Sequence, residues 1–73
     1  MSKQIRKGTK VGWNWGNGDA EGKVTDVFHD RVERTIDGSK ITKNGSSDTP
    51  AYLIEQDDGS RVLKLASEVK RAD

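Results

Sequence analysis

Trp13 and Trp15 stand two residues apart in the run Val11-Gly12-Trp13-Asn14-Trp15, and Gly16-Asn17-Gly18 follows at once. An indole face attracts cations and stacks on flat groups, so a tryptophan at the end of a strand is a candidate platform for a nucleobase or a cationic side chain. The same rings are the largest fillers available to a small core. Position separates the two roles. Trp13 is expected to plug the core, whereas Trp15 can leave it without opening a cavity. A full cage for methylated lysine needs several converging rings. The chain offers only Trp13, Trp15, Phe28 and Tyr52, and the core must use some of them. A bacterial origin would also remove histone tails as ligands. The candidate ligand-binding residues are therefore Trp15 and Asn17, with Lys10, Lys23, Lys64 and Arg71 as cations able to hold a phosphate or an acidic side chain beside the indole.

Other chemistries fail on residue type. The sequence has no cysteine, which excludes disulfides, zinc ribbons and thiol catalysis. It has one histidine, His29, so multi-histidine metal sites are excluded, and no motif places a serine nucleophile beside it. His29 reads as a surface residue at a strand end. A phosphate-cradling glycine loop needs a strand before it and a helix N-terminus after it. After Gly16-Asn17-Gly18 another strand follows, so that reading is set aside. Asp57 and Asp58 lack the ligand count of a calcium loop and read as turn chemistry. No catalytic residue, metal ligand or cofactor is expected.

The elements that must position these residues are short strands. Val11, Trp13 and Trp15 alternate with Gly12 and Asn14, the period of a strand. Glu21 to His29 reads as a second strand. In it Val24 and Phe28 share a face and Val27 lies on the other, so burying both valines requires a bulge near Thr25-Asp26. Val32 and Ile36 open a third strand. Asp37-Gly38 is a hairpin signal that places Ile41 opposite Arg34 and Lys40 opposite Thr35. This ribbon is weakly amphipathic and is expected to project into solvent. Lys43 to Pro50 reads as a loop. Ala51 to Gln56 and Arg61 to Leu65 form a hairpin around Asp58-Gly59. A two-residue turn there pairs Ile54 with Leu63 and Tyr52 with Leu65 on one buried face. Ala66-Ser67-Glu68-Val69 fits a single 3₁₀ turn with Val69 tucked back as a lid. The expected core is Val11, Trp13, Val24, Val27, Tyr52, Ile54, Leu63 and Val69. No apolar period of 3.6 persists, so the fold class is all-β: a small, partly open barrel of five or six short antiparallel strands.

A chain of 73 residues holds one domain, here a polar lead-in over residues 1–7 and a barrel over residues 8–71. The formal net charge is only +1, too small for tight nonspecific nucleic-acid binding, but it is unevenly spread. Lys3, Arg6, Lys7 and Lys10 precede any acid, while Glu55 to Asp58 holds acids and no base. No run is long and apolar enough to span a bilayer, and no apolar segment follows the basic N-terminus as in a signal peptide. The cytoplasm is the expected compartment.

A set of motifs goes further. Lys7-Gly8, Val11, Trp13-Asn14-Trp15-Gly16, then Ala20-Glu21-Gly22-Lys23-Val24, Pro50-Ala51-Tyr52-Leu53-Ile54-Glu55, Asp58-Gly59, Val62-Leu63-Lys64 and Ser67-Glu68-Val69 resemble, in order and spacing, the DUF2945 family, also called the hypervirulence-associated protein Tudor domain. The resemblance covers roughly residues 7–70 and implies an SH3-like, Tudor-like barrel. It implies little about activity, because fold does not carry function. Gly8, Val11, Gly22 and Val24 also look like part of a KOW motif. The expected function is a non-catalytic binding module for a protein partner, with weak RNA binding of KOW or Tudor type as the alternative. Neither a membrane nor a small-molecule cofactor is expected as a partner, and the expected state is a monomer.

Overall fold

Turn chemistry divides the chain into hairpins, and a computed structural model shows how they pack. It describes residues 5–36 and 38–72, with only the backbone at Trp15. Seven strands appear among the described residues: β1 (Lys10–Trp15), β2 (Gly18–Phe28), β3 (Arg31–Ile36), β4 (Ser39–Asn44), β5 (Ala51–Glu55), β6 (Arg61–Leu65) and the two-residue β7 (Lys70–Arg71). A 3₁₀ turn over Ala66–Glu68 links β6 to β7. Strands β6-β5-β2-β1-β7 form one antiparallel sheet and β3-β4 a second. The all-β architecture follows the sequence pattern. The extra strand is β7, which pairs Arg71 with Val11 and Lys70 with Gly12 and so brings the C-terminal segment against β1.

The bulge in β2 lies where the valine spacing requires it. Val24 pairs with Ile54, the register shifts, and Asp26 pairs with Leu53 and Val27 with Tyr52. The extra residue places Val24 and Val27 on one face despite their odd spacing. That face carries the first core: Val11, Trp13, Ala20, Val24, Tyr52 and Ile54 are buried, with Ile5, Val27, Val62, Ala66 and Val69 packed around them. Gly22 lies in the middle of β2 against β5. A Cβ built there would fall 2.6 Å from Ile54 Cγ2 and 2.8 Å from the Glu55 carbonyl oxygen, so the residue is set by lack of space.

Two expectations are corrected. The first concerns the β5–β6 hairpin, which is one residue out of the two-residue-turn register. Ile54 faces Val62, Leu53 faces Leu63 and Ala51 faces Leu65. The Gly59 N–H donates to the Gln56 carbonyl at 2.9 Å, and the Gln56 N–H donates to the Ser60 carbonyl at 2.8 Å. Gly59 adopts a φ of +89°. This is a three-residue loop, a type I turn closed by a left-handed glycine, with Asp57, Asp58 and Gly59 at its tip. The Ser60 hydroxyl and N–H both donate to Asp58 Oδ1, at 2.6 and 2.9 Å. They hold that carboxyl below its ordinary pKa. A one-residue slip moves side chains to the other face. Leu63 and Leu65 therefore leave Tyr52 and Ile54 and join a second core.

The second correction concerns the β3–β4 ribbon. Its register is the expected one, with Arg34 opposite Ile41 and Thr35 opposite Lys40. Asp37 lies outside the described residues. The ribbon does not simply project into solvent. Val32, Ala51 and Leu63 form a second buried cluster, with Phe28, Ile36, Ile41, Leu53 and Leu65 around it. Leucines on the far side of β5–β6 need a cover, and the ribbon supplies it through Val32, Ile36 and Ile41.

Candidate functional site

The sequence-predicted residues distribute over the five-stranded sheet as follows. Lys10 and Lys23 are direct partners across β1 and β2, on the face that points away from the first core. Arg71 is exposed on β7, opposite Val11. These three cations therefore lie on adjacent strands, but only Lys10 and Lys23 share the outer face; Arg71, opposite the buried Val11, is on the core side of the β7 edge. Lys64 does not join them: it sits half-buried on β6, opposite Tyr52, with β5 and β2 between its strand and β1. Trp15 pairs through its backbone with Gly18, and Asn17 is exposed in the turn between them. The Trp15 side chain lies outside what is described. From the Lys10 end of β1 to its Trp15 end is about 17 Å at the usual rise per residue. Lys10 and Lys23 are thus at the opposite end of the hairpin from the turn.

The electrostatics are mixed. The Lys10 ammonium lies 3.3 Å from Glu21. Lys23 faces Glu55 across β2 and β5. Together with Gly22, Gln56 and Asp57 these residues line an open cleft of about 590 Å³. Beside it, toward the turn, Asp19, Glu21, Asp57 and Asp58 line a shallower hollow with Ala20 and Gln56. Carboxylates of β2 and of the β5–β6 loop therefore line the hollow that adjoins the cleft.

Lys64 belongs to another cluster. Glu68 reaches back to accept the Leu65 N–H at 2.8 Å and to meet Lys43 Nζ at 3.1 Å. Burial pushes the Glu68 carboxyl up, but the Leu65 hydrogen bond and the charges of Lys43 and Lys64 outweigh it and leave the pKa below its ordinary value. This arrangement closes the 3₁₀ turn and ties β4 to it, which gives Lys64 and Lys43 a structural role.

His29 is exposed at the bend after β2. It shares a hollow of about 290 Å³ with Ile5, Val27, Ser47, Asp48, Pro50, Tyr52 and Ala66. Among the described residues no group of three or more His, Cys, Asp or Glu could hold a metal ion. No helix among them is long and apolar enough to cross a membrane.

One grouping has no counterpart in the sequence reading. Arg34 on β3 and Arg61 on β6 line a groove of about 310 Å³ with Thr35, Ile36, Leu53, Gly59 and Ser60. No local pattern in the sequence joins them. Only the seating of the ribbon on the β5–β6 hairpin brings them together.

Comparison with curated proteins and with solved structures finds no match to either. Residues 8–69, from the glycine that donates its N–H to Val24 to the valine that caps the first core, match one family along nearly their whole described length. The paired first hairpin, the bulged second strand, the Asp-Gly-tipped third hairpin and the 3₁₀ turn all fall inside that span, and the chain belongs to the family of hypervirulence associated proteins TUDOR domain.

Proposed function

We propose that this Tudor-family domain is a non-catalytic module that binds a protein partner through the outer face of β7, β1, β2 and β5. Lys10 and Lys23 form the basic end of this face, the turn of Trp15 and Asn17 stands at its other end, and Arg71 and Lys64, opposite Val11 and Tyr52, border it from the core side. The observation that carries this reading is the interleaving of charge. Lys10 is paired with Glu21, Lys23 faces Glu55, and Asp57 lines the same cleft. A nucleic-acid backbone is uniformly anionic and gains by displacing counterions from a run of cations. On this face it would meet a carboxylate beside each lysine. A protein surface carries both signs and can match the alternation. The proposed compartment is the cytoplasm, in keeping with a cysteine-free sequence.

Weak RNA binding is the second reading, favoured by the adjacency of Lys10, Lys23 and Arg71 on β1, β2 and β7. Two experiments separate the readings. In the first, the isotope-labelled domain is titrated with single-stranded RNA and with duplex DNA at low and high salt. The protein reading expects no saturable shift at Lys10, Lys23 or Asn17. A saturable response there that collapses as salt rises would replace it with the RNA reading. In the second, a photo-crosslinker placed at Asn17 is compared with one at Ser46, in cells of the source organism. A discrete protein adduct from Asn17 alone is expected. Equal adducts from both positions, or none from Asn17, would remove the protein reading.

A further inference from the structure

Arg34 and Arg61 differ from the other cations of this domain in what surrounds them. The three ion pairs among the described residues all use lysines: Lys10 with Glu21, Lys40 with Glu33 and Lys43 with Glu68. Neither Arg34 nor Arg61 has a carboxylate partner there. Arg34 is nonetheless held in place. Its guanidinium lies over the Phe28 ring, 4.8 Å from the centroid, and one of its N–H groups donates to the Glu33 carbonyl at 2.8 Å. Stacking on one face and a single hydrogen bond leave most of the guanidinium donors unused, in a fork whose plane is fixed.

Arg61 approaches the same groove from β6. The described lining has two guanidinium groups, two hydroxyl residues, the aliphatic side chains of Ile36 and Leu53, and no carboxylate. Among the described residues, the acids next to these arginines in sequence, in the ladder or in the turn are occupied or directed elsewhere. The Asp58 carboxylate accepts from Ser60, and Glu33 is bound to Lys40. Glu55, opposite Arg61 in the ladder, forms no ion pair with it.

We propose that this groove is an anion-recognition site for a protein partner, taking a carboxylate side chain flanked by an aliphatic one. The two arginines would grip the carboxylate, and Ile36 with Leu53 would receive the aliphatic neighbour. Paired guanidiniums match a carboxylate bidentately, and the apolar floor adds an anchor that a bare anion cannot use. Nucleic acid fits less well, because two cations fall short of the phosphate contacts that give nonspecific binding its affinity. The site lies between the ribbon and the β5–β6 hairpin and does not depend on the Trp15 face, so either can fail without the other.

The test uses a blocked peptide, acetyl-Leu-Asp-Glu-Leu-amide, titrated into the labelled domain. The controls are its Asn-Gln counterpart, inorganic phosphate and a short single-stranded RNA. The acidic peptide is expected to shift Arg34, Ile36, Leu53 and Arg61 saturably, and the amide peptide to bind at least about tenfold more weakly, the size of one charge-assisted hydrogen bond. Arg61→Gln and Arg34→Gln should each weaken the acidic peptide by about the same factor. Arg34→Lys keeps the charge without the fork and should fail to restore full affinity. It also serves as the folded control should Arg34→Gln unfold. Equal binding of both peptides, a groove saturated as readily by phosphate or RNA, or unchanged affinity in Arg61→Gln would each overturn the proposal.

Discussion

Gly22→Ala perturbs a close approach of two strands, β2 and β5. The added Cβ would lie 2.6 Å from Ile54 Cγ2 and 2.8 Å from the Glu55 carbonyl oxygen. Ordinary carbon–carbon contact is at about 3.5–4.0 Å, so the overlap with Ile54 is on the order of an ångström. Neither neighbour can yield cheaply. Ile54 is fully buried in the first core, and the other contact is backbone. Relief requires β2 and β5 to part next to the Val24–Ile54 pair. Overpacking of this kind costs about 1–3 kcal/mol, and immobile neighbours place Gly22→Ala in the upper half of that range. A 73-residue domain has a total stability of roughly 4–11 kcal/mol, and each kcal/mol moves Tm by about 4–8 °C. The expected fall in Tm is therefore about 8–24 °C, read by thermal and urea denaturation with circular dichroism. Gly22→Asn should be worse, because the obstacle is space. At Gly59 the order reverses: nothing crowds a Cβ there, but φ is +89°. Gly59→Ala should cost about 1–2 kcal/mol and Gly59→Asn less, since Asn tolerates the left-handed region. A Gly22→Ala domain that melts with the parent, or a Gly22→Asn domain more stable than Gly22→Ala, would refute the steric argument.

Three further outcomes are expected. Trp13→Ala should lose about 3–5 kcal/mol, as for other buried aromatics, and abolish the cooperative melt; an unchanged melt would remove Trp13 from the core. Glu68→Gln should lower stability by about 0.5 kcal/mol near neutral pH, as expected for a solvent-screened pair. Because the folded-state pKa of Glu68 is depressed, its contribution is present above the unfolded value of 4.5 and lost as pH falls through the folded one. The parent and Glu68→Gln melting curves should therefore converge in acid, and a constant gap from neutral pH to acid would contradict the sign. Val32→Ala should cost about 0.5–1.5 kcal/mol or more, measured by urea denaturation, because the ribbon covers a core; no loss would return β3–β4 to the role of a solvent-facing flap.

Much of this domain can be read from residue types alone. Period-two alternation locates β1, the spacing of Val24 and Val27 requires the bulge at Thr25-Asp26, and Asp37-Gly38 fixes the register of β3 against β4, because each of these signals is local. The β5–β6 register is different. Asp57-Asp58-Gly59 serves a two-residue or a three-residue loop, and both faces of the hairpin are apolar, so hydrophobic pattern cannot choose between them. The choice falls to the partners on each side: the first core accepts Tyr52, Ile54 and Val62, and the ribbon accepts Leu53, Leu63 and Leu65. The same holds for the candidate sites. Sequence identifies Trp15, Asn17 and the lysines as residue types able to bind, but the carboxylates beside the lysines come from β2 and β5, and the pairing of Arg34 with Arg61 exists only once the ribbon is seated. Local chemistry sets turns and alternation, whereas register between two equally apolar faces, and any site shared by distant strands, depends on what the rest of the chain packs against them.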